Sequence, residues 1–303
     1  MRRNTVIAVL LMAASSLSFA VMGGCVKAST AGLPFLIAVL FRSVVGMLPL
    51  LAWFLWTRRP LTAVQHGLLF VRSIFGFCAM CTFFLAIESL PLATAVVLNC
   101  SSPVFVVILA GLLLKERTAV AVFPLVAAAF AGVALLVSPD FPSFELECVL
   151  GLASALFAAM AYVTVKRLSA TESPATIVLF FSIYSAVFSV ATVAAAAAFG
   201  WIDLGGDRVV AMIADPAEIG LLLGVGVSGT LGQVLLTSAY ARERASVVSP
   251  FQYLSPIFSY GLGIALFGEH PTPLSLAGGA VVIAASIGVL LVTRERPAPG
   301  TVE

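Results

Sequence analysis

The sequence predicts an all-α integral membrane protein of ten transmembrane helices, arranged as two inverted five-helix repeats. Three observations predict it. The 303-residue chain is 61% hydrophobic and 10% charged, where a soluble domain carries about 25% charged residues, and a water-soluble fold lacks the interior to hide so much apolar surface. The apolar residues fall into runs of about 20, the length that crosses a bilayer as a helix. One segment is also written twice. NCSSPVFVVILAGLLLKER at 99–117 returns as QYLSPIFSYGLGIALFGEH at 252–270. Ser102, Pro103, Phe105 and Glu116 meet Ser255, Pro256, Phe258 and Glu269 at one offset (256 − 103 = 153).

The ten expected spans cover 5–26, 34–56, 67–88, 92–114, 119–138, 147–166, 175–201, 217–240, 246–267 and 274–293. The first follows Arg2 and Arg3 and ends near a small-residue stretch, which imitates a signal peptide. It is read as a span because the second half holds its counterpart. Alternating the connections puts Arg2, Arg3, Arg58, Arg59, Arg72, Lys115, Arg117, Lys166, Arg167, Arg242, Arg244, Arg294 and Arg296 on one side. The other side receives Lys27 and Arg208, and Arg42 stays inside the second span. Basic residues gather in the cytoplasm, so both termini are expected there, with the chain multi-pass in the cytoplasmic (inner or plasma) membrane.

The repeat reaches beyond the quoted segment. Ser15 and Lys27 of the first span match Ser154 and Lys166 of the sixth (154 − 15 = 139), and each span is followed by a proline, Pro34 or Pro174. Gly132 near the end of the fifth span matches Gly288 in the tenth. The halves are expected at 1–139 and 140–303. Five is odd, so the second half enters the membrane upside down. Inverted repeats of this kind let a site between them face the two sides in turn, and matched broken helices point to that site. Pro103 and Pro256 mark such a pair, because a proline inside a helix frees a carbonyl and bends the axis. Their expected role is gating, with plain packing as the alternative.

With LPLATAVVLNCSSPVFVVILAGLLLKER, its echo ASVVSPFQYLSPIFSYGLGIALFGEH, and the FRSVVGMLPLL run around Arg42, the chain resembles the drug/metabolite transporter superfamily. The resemblance is to its ten-helix EamA-type branch and, within that branch, to the amino-acid exporters. It covers about residues 5–293. It implies a basket of helices around a central cavity and export of amino acids or related metabolites.

Polar groups in a bilayer are costly, so they face a cavity or a neighbouring helix. On the ninth span Ser249, Gln252, Tyr253, Pro256 and Tyr260 fall on one helical face. On the fourth, Asn99, Ser102 and Pro103 do the same. Asn99 and Gln252 share the 153-residue offset, and an amide both donates and accepts, which suits a zwitterion. Substrate contact and hydrogen bonding between helices both remain open for this pair. Gln233 stands beside a small-residue ladder, Gly220, Gly224, Ser228 and Gly232, read as a packing face. Tyr162, Ser182 and Tyr184 are further candidates. Arg42 either meets a substrate carboxylate or serves structure by reaching carbonyls or the surface.

Several classes are excluded. Cys78 and Cys81 form a C-x-x-C inside an apolar run, read as packing residues, and neither a cofactor nor a metal is expected. His66 and His270 sit at opposite edges of the membrane and no aspartate lies mid-span, so no catalytic group can be assembled and the chain is not an enzyme. A channel would need a continuous polar lining. No Asp or Glu lies near the middle of a span, which suggests uniport or indirect proton coupling. A lone intramembrane arginine disfavours polyanions such as nucleotide sugars and leaves neutral or zwitterionic solutes. Expected partners are a small-molecule substrate and the lipid bilayer, not nucleic acid. Ten spans suffice to close a cavity in one monomer.

Overall fold

The computed structural model describes residues 3–28, 35–58, 62–89, 92–116, 118–137, 146–200, 215–267 and 272–294. Pro34, Glu269, His270 and Arg208, which entered the sequence reading, lie outside the described residues. The described chain is helical: α1 (Arg3–Ala28), α2 (Phe35–Trp56), α3 (His66–Ser89), α4 (Leu92–Asn99), α5 (Ser102–Leu113), α6 (Val122–Val137), α7 (Leu146–Leu168), α8 (Pro174–Ala198), α9 (Pro216–Arg242), the short α10 (Ala245–Val248), a 3-10 turn (Ser249–Tyr253), α11 (Leu254–Phe267) and α12 (Pro273–Arg294). Seven of them are long and apolar enough to cross a membrane, with shorter apolar helices beside them. The protein is a multi-pass membrane protein.

Local sequence explains the helix ends. Ser173 and Asp215 cap α8 and α9 by accepting from the N–H groups of Thr176 and Ala217, and each is followed by a proline at the first helical position, where no N–H is needed. The two stretches matched by Pro103 and Pro256 break, whereas α2 carries Pro49 and runs on unbroken. The fourth breaks between Asn99 and Ser102, and Pro103 sits in the first turn of the new helix. The ninth tightens into the 3-10 turn before α11 begins. The single α-helical face expected across Ser249–Tyr260 is therefore interrupted, because the turn changes the pitch beneath it.

Four contacts across the two halves build the bundle. α1 runs antiparallel to α9. The Thr5 hydroxyl donates to the Glu243 carboxylate at one end, Ser15 Oγ donates to the Gly232 carbonyl at 2.7 Å midway, and Cys25 Sγ lies against Gly224 further along. α3 packs on α7, where Phe75 and Phe157 stack. α2 packs on α8 through Ser43 and Ser189. α6 packs on α12, where the Gly132 and Gly278 backbones touch and Leu125 fills the space beside Gly288. Of the glycine ladder, Gly224 and Gly232 meet α1 through Cys25 and Phe19, while Gly220 faces open space. The outer surface carries apolar side chains such as Leu10, Leu55, Leu112, Val187, Leu231 and Leu291, as lipid requires.

Exchanging α1 to α6 with α7 to α12 in order turns α1–α9 packing into α7–α3, and α2–α9 into α8–α3. The α2–α8 and α6–α12 contacts map onto themselves.

A Cβ added at Gly278 would stand 2.6 Å from the Gly132 carbonyl oxygen and closer still to the Leu136 nitrogen. Backbone cannot move aside as a side chain can. Gly278→Ala should destabilise the folded protein by about 1–3 kcal/mol. Gly220→Ala, with nothing within 4 Å, should leave thermal unfolding in detergent unchanged. Equal melting of both variants and the parent would show that α6 and α12 do not depend on this approach.

Candidate functional site: a polar cavity between the halves

α2, α8 and α9 enclose a small cavity lined by Arg42, Ser43, Phe181, Ser182, Ser185, Gly229, Thr230 and Gln233, with Val178 at its wall. It has room for about one water molecule. Glycine makes the approach possible: the Arg42 side chain crosses Gly229, with Nε 3.3 Å from where a Cβ would stand. Arg42 Nη1 donates to the Met80 sulfur at 3.0 Å, a weak acceptor. Thr230 Oγ1 donates to the Gly46 carbonyl at 3.0 Å and ties α9 to α2.

A second arginine stands behind this wall. The sequence reading gave Arg72 to the basic flank of the membrane. The structure instead buries it in α3 at 1% exposure. Its guanidinium carbon lies 3.6 Å from the centre of the Phe181 ring, the ring that also lines the cavity. Room for it comes from Gly76, where a Cβ would meet Nη1 at 2.8 Å. Arg72 Nε and Nη1 have no hydrogen-bond partner, and neither do Ser185 Oγ and Gln233 Nε2 beside the cavity. Buried donors are paired in most folds, and three of the residues with unpaired buried donors stand in or directly behind this cavity wall. Sequence reasoning missed Arg72, although its own third span, 67–88, enclosed it.

Of the candidates drawn from sequence, Arg42, Gln233 and Ser182 come together here. The others lie elsewhere. Asn99 Nδ2 donates to Ser154 Oγ at 2.9 Å, joining α4 to α7. Gln252 Nε2 donates to the Tyr240 hydroxyl at 2.6 Å, and Tyr240 stacks on Tyr162 with ring centres 5.6 Å apart. Tyr253 is fully buried with residues of α6 and α12, its hydroxyl unpaired. Ser102 and Pro103 are buried at the start of α5, and Pro256 is buried in α11. Tyr184 belongs to an aromatic cluster with Phe70, Phe180 and Phe188.

The face where α1 begins is closed by reciprocal carboxylate caps. Beyond α5 the chain turns through Lys115, whose φ is 54°, and returns the Glu116 N–H to the Ala110 carbonyl. The Glu116 carboxylate then accepts from the Ala245 and Ser246 N–H groups at 2.9 and 3.1 Å and from Ser246 Oγ at 2.8 Å. It caps α10, whose own N-cap residue, Arg244, makes no side-chain cap. From the other half, Glu172 Oε1 accepts from the Val64 and Gln65 N–H groups, at 2.6 and 2.8 Å, just before α3. Lys166 Nζ donates to the Tyr240 and Glu243 carbonyls at the end of α9. Charged caps of this kind are stronger than neutral ones.

A helical membrane bundle with a small, mostly polar-lined cavity where α2 meets α8 and α9 is the form of a solute transporter. The model of the EamA-like transporter family matches residues 6–138 and 146–291, and the chain belongs to that family. It is a transporter and not an enzyme. Its curated relatives include a pseudopaline exporter of Pseudomonas aeruginosa, 35% identical over 93% of this chain and 95% of that protein. An S-adenosylmethionine uptake transporter of Rickettsia bellii is 26% identical over 82% of this chain and 80% of that one. A riboflavin transporter of Vibrio cholerae is 25% identical over 90% and 89%. A solved crystal structure shares the fold with TM-score 0.73 at 19% identity, covering 96% of this chain and 99% of that one.

Gln233→Leu keeps the volume and removes the unpaired buried donor, whose desolvation costs about 1–3 kcal/mol. It should melt no lower than the parent while solute flux falls at least tenfold. A variant that melts lower with flux intact would make Gln233 a structural residue.

Proposed function

We propose that the chain exports amino acids or related small metabolites across the cytoplasmic membrane by alternating access, with ten spans in two inverted five-helix repeats. The observation that carries this reading is the exchange of contacts between the halves: α1–α9 with α7–α3, α2–α9 with α8–α3. Two family matches, one in each half of the chain, and the interruption of both proline-bearing stretches support the same arrangement. The antiparallel run of α1 on α9 agrees with an odd number of spans per half. A cavity this small at the interface of the halves fits a state in which no solute is held. Access to one side then requires the Glu116 and Glu172 caps to release, and their face is the cytoplasmic one on the charge pattern. Asn99 and Gln252 stand at equivalent places in the repeat and, with Pro103 and Pro256, ride on the segments that move. The relatives move different solutes, some outward and some inward, so export rests on the amino-acid exporter resemblance and on the pseudopaline exporter.

The test is counterflow in proteoliposomes. Vesicles are loaded with one unlabelled solute at a time, from a panel of amino acids, nucleosides, sugars and organic acids, and trace uptake of the same labelled solute is followed. A carrier gives a transient overshoot for at least one member. Absence of overshoot for the whole panel, with folded protein, overturns the reading, and conduction without saturation favours a channel.

The caps give a separate prediction. In a cysteine-free background bearing Ser182→Cys, a membrane-impermeant thiol reagent applied from the capped face should label the cavity about tenfold faster once Glu116→Ala and Glu172→Ala are combined. Unchanged labelling would mean that the caps do not hold this face shut. Pro103→Ala and Pro256→Ala should change turnover more than KM, and parental turnover in both would leave the prolines as packing residues.

A further inference from the structure

Arg42 and Arg72 are the two guanidiniums of the cavity region, and among the described residues neither is paired with a carboxylate. The residues that line the cavity include no Asp or Glu. Holding two cations inside a bilayer without a counter-charge is costly, and packing alone would be served better by apolar side chains. Their positions are also not redundant. Met80, which receives Arg42, stands about 12 Å along α3 from Arg72 (80 − 72 = 8 residues at 1.5 Å each). Arg42 lines the cavity over Gly229, and Arg72 stands behind its wall, against the Phe181 ring. Ser185 Oγ and Gln233 Nε2 supply unpaired polar atoms on the cavity wall.

We propose that Arg42 and Arg72 form a clamp for the two carboxylates of a dianionic solute, such as an N-substituted acidic amino acid or another small dicarboxylate. This rests on the carrier reading and narrows its substrate class. Guanidinium is the group suited to the task, since its planar fork takes a carboxylate with two parallel hydrogen bonds and it stays charged. Phe181 is the movable part. Its ring holds the Arg72 charge by a cation–π contact in the closed cavity, and it turns aside when a carboxylate takes its place. One intramembrane arginine would disfavour a cargo of several negative charges; the burial of Arg72 makes them two.

The test compares isosteres in proteoliposomes of the full chain: labelled N-acetylglutamate against N-acetylglutamine, and glutarate against its monoamide. The diacid should be carried with a kcat/KM at least tenfold higher than its amide. Arg72→Gln and Arg42→Gln should each bring that ratio close to one, through the KM of the diacid, and Arg72→Lys should retain part of it. A merely structural arginine would lower flux of acid and amide alike. If the glutamine variants do not fold, the parent decides alone: equal or better transport of the amides overturns the clamp. Overshoot with leucine or another neutral solute but with neither diacid overturns the clamp and leaves the carrier standing. No overshoot with any solute removes the carrier reading and the clamp with it.

Discussion

In lipid, apolar surface gains nothing by being hidden against another helix, so the bundle depends on close approach of backbones. Gly132 against Gly278, Gly224 against Cys25 and Gly46 against the α9 backbone are the places where that approach occurs. Each lies between the two halves. Contacts of this kind are tight but short-ranged. They hold the halves in one packing and offer no continuous resistance to a different one, as the proposed alternating access would require. Strength instead comes from charged caps at the membrane face, where Glu116 and Glu172 bind the helix starts of the opposite half. Closure is therefore concentrated in a few hydrogen bonds that can break together.

The same logic explains why the interior is sparing with polar groups. Most hydroxyls within helices bond back to their own carbonyls, as Ser73, Thr82 and Thr164 do, so they cost little and carry no information about a solute. Against that background the unpaired atoms of Arg72, Ser185 and Gln233 stand apart. Other buried hydroxyls, such as those of Thr237, Ser249 and Tyr253, are also unpaired, but among the described residues only around Phe181 and Arg42 do unpaired polar atoms stand beside two guanidiniums.

Much of this was legible in the sequence, and the physical reason is the bilayer. Backbone groups in lipid must be satisfied within a helix, so apolar runs report helices directly, and proline reports their breaks, as at Asn99–Ser102. Caps were legible in part. Ser173 and Asp215 before Pro174 and Pro216 are readable signals, whereas the capping of α10 by Glu116 comes from a residue more than a hundred positions away. The matched Asn99 and Gln252 suggested symmetric roles, yet Asn99 bonds across to Ser154 of the other half while Gln252 bonds to Tyr240 of its own. Repetition in sequence preserves position in the fold, not the partner.

Arg72 is the instructive miss. A charge six residues inside a span reads as a flank, because basic residues gather at membrane edges. The run LLFVRSIFGF has apolar residues on both sides of it, and an arginine able to reach the surface would have no need of Gly76 one turn later. A glycine at i+4 from an arginine in an apolar helix leaves a slot along the helix for the guanidinium, and a slot is of use only if the charge stays inside. Arg42 obtains its room in another way, from Gly229 of the opposite half. One arginine is thus accommodated by its own helix and the other by the partner half. On the proposed alternating access, parting of the halves would uncover Arg42, while Arg72 would keep its slot and lose only its contact with Phe181 of α8. A solute that bridges both would bind best when the halves are together, so its binding energy would favour the occluded state over either open one.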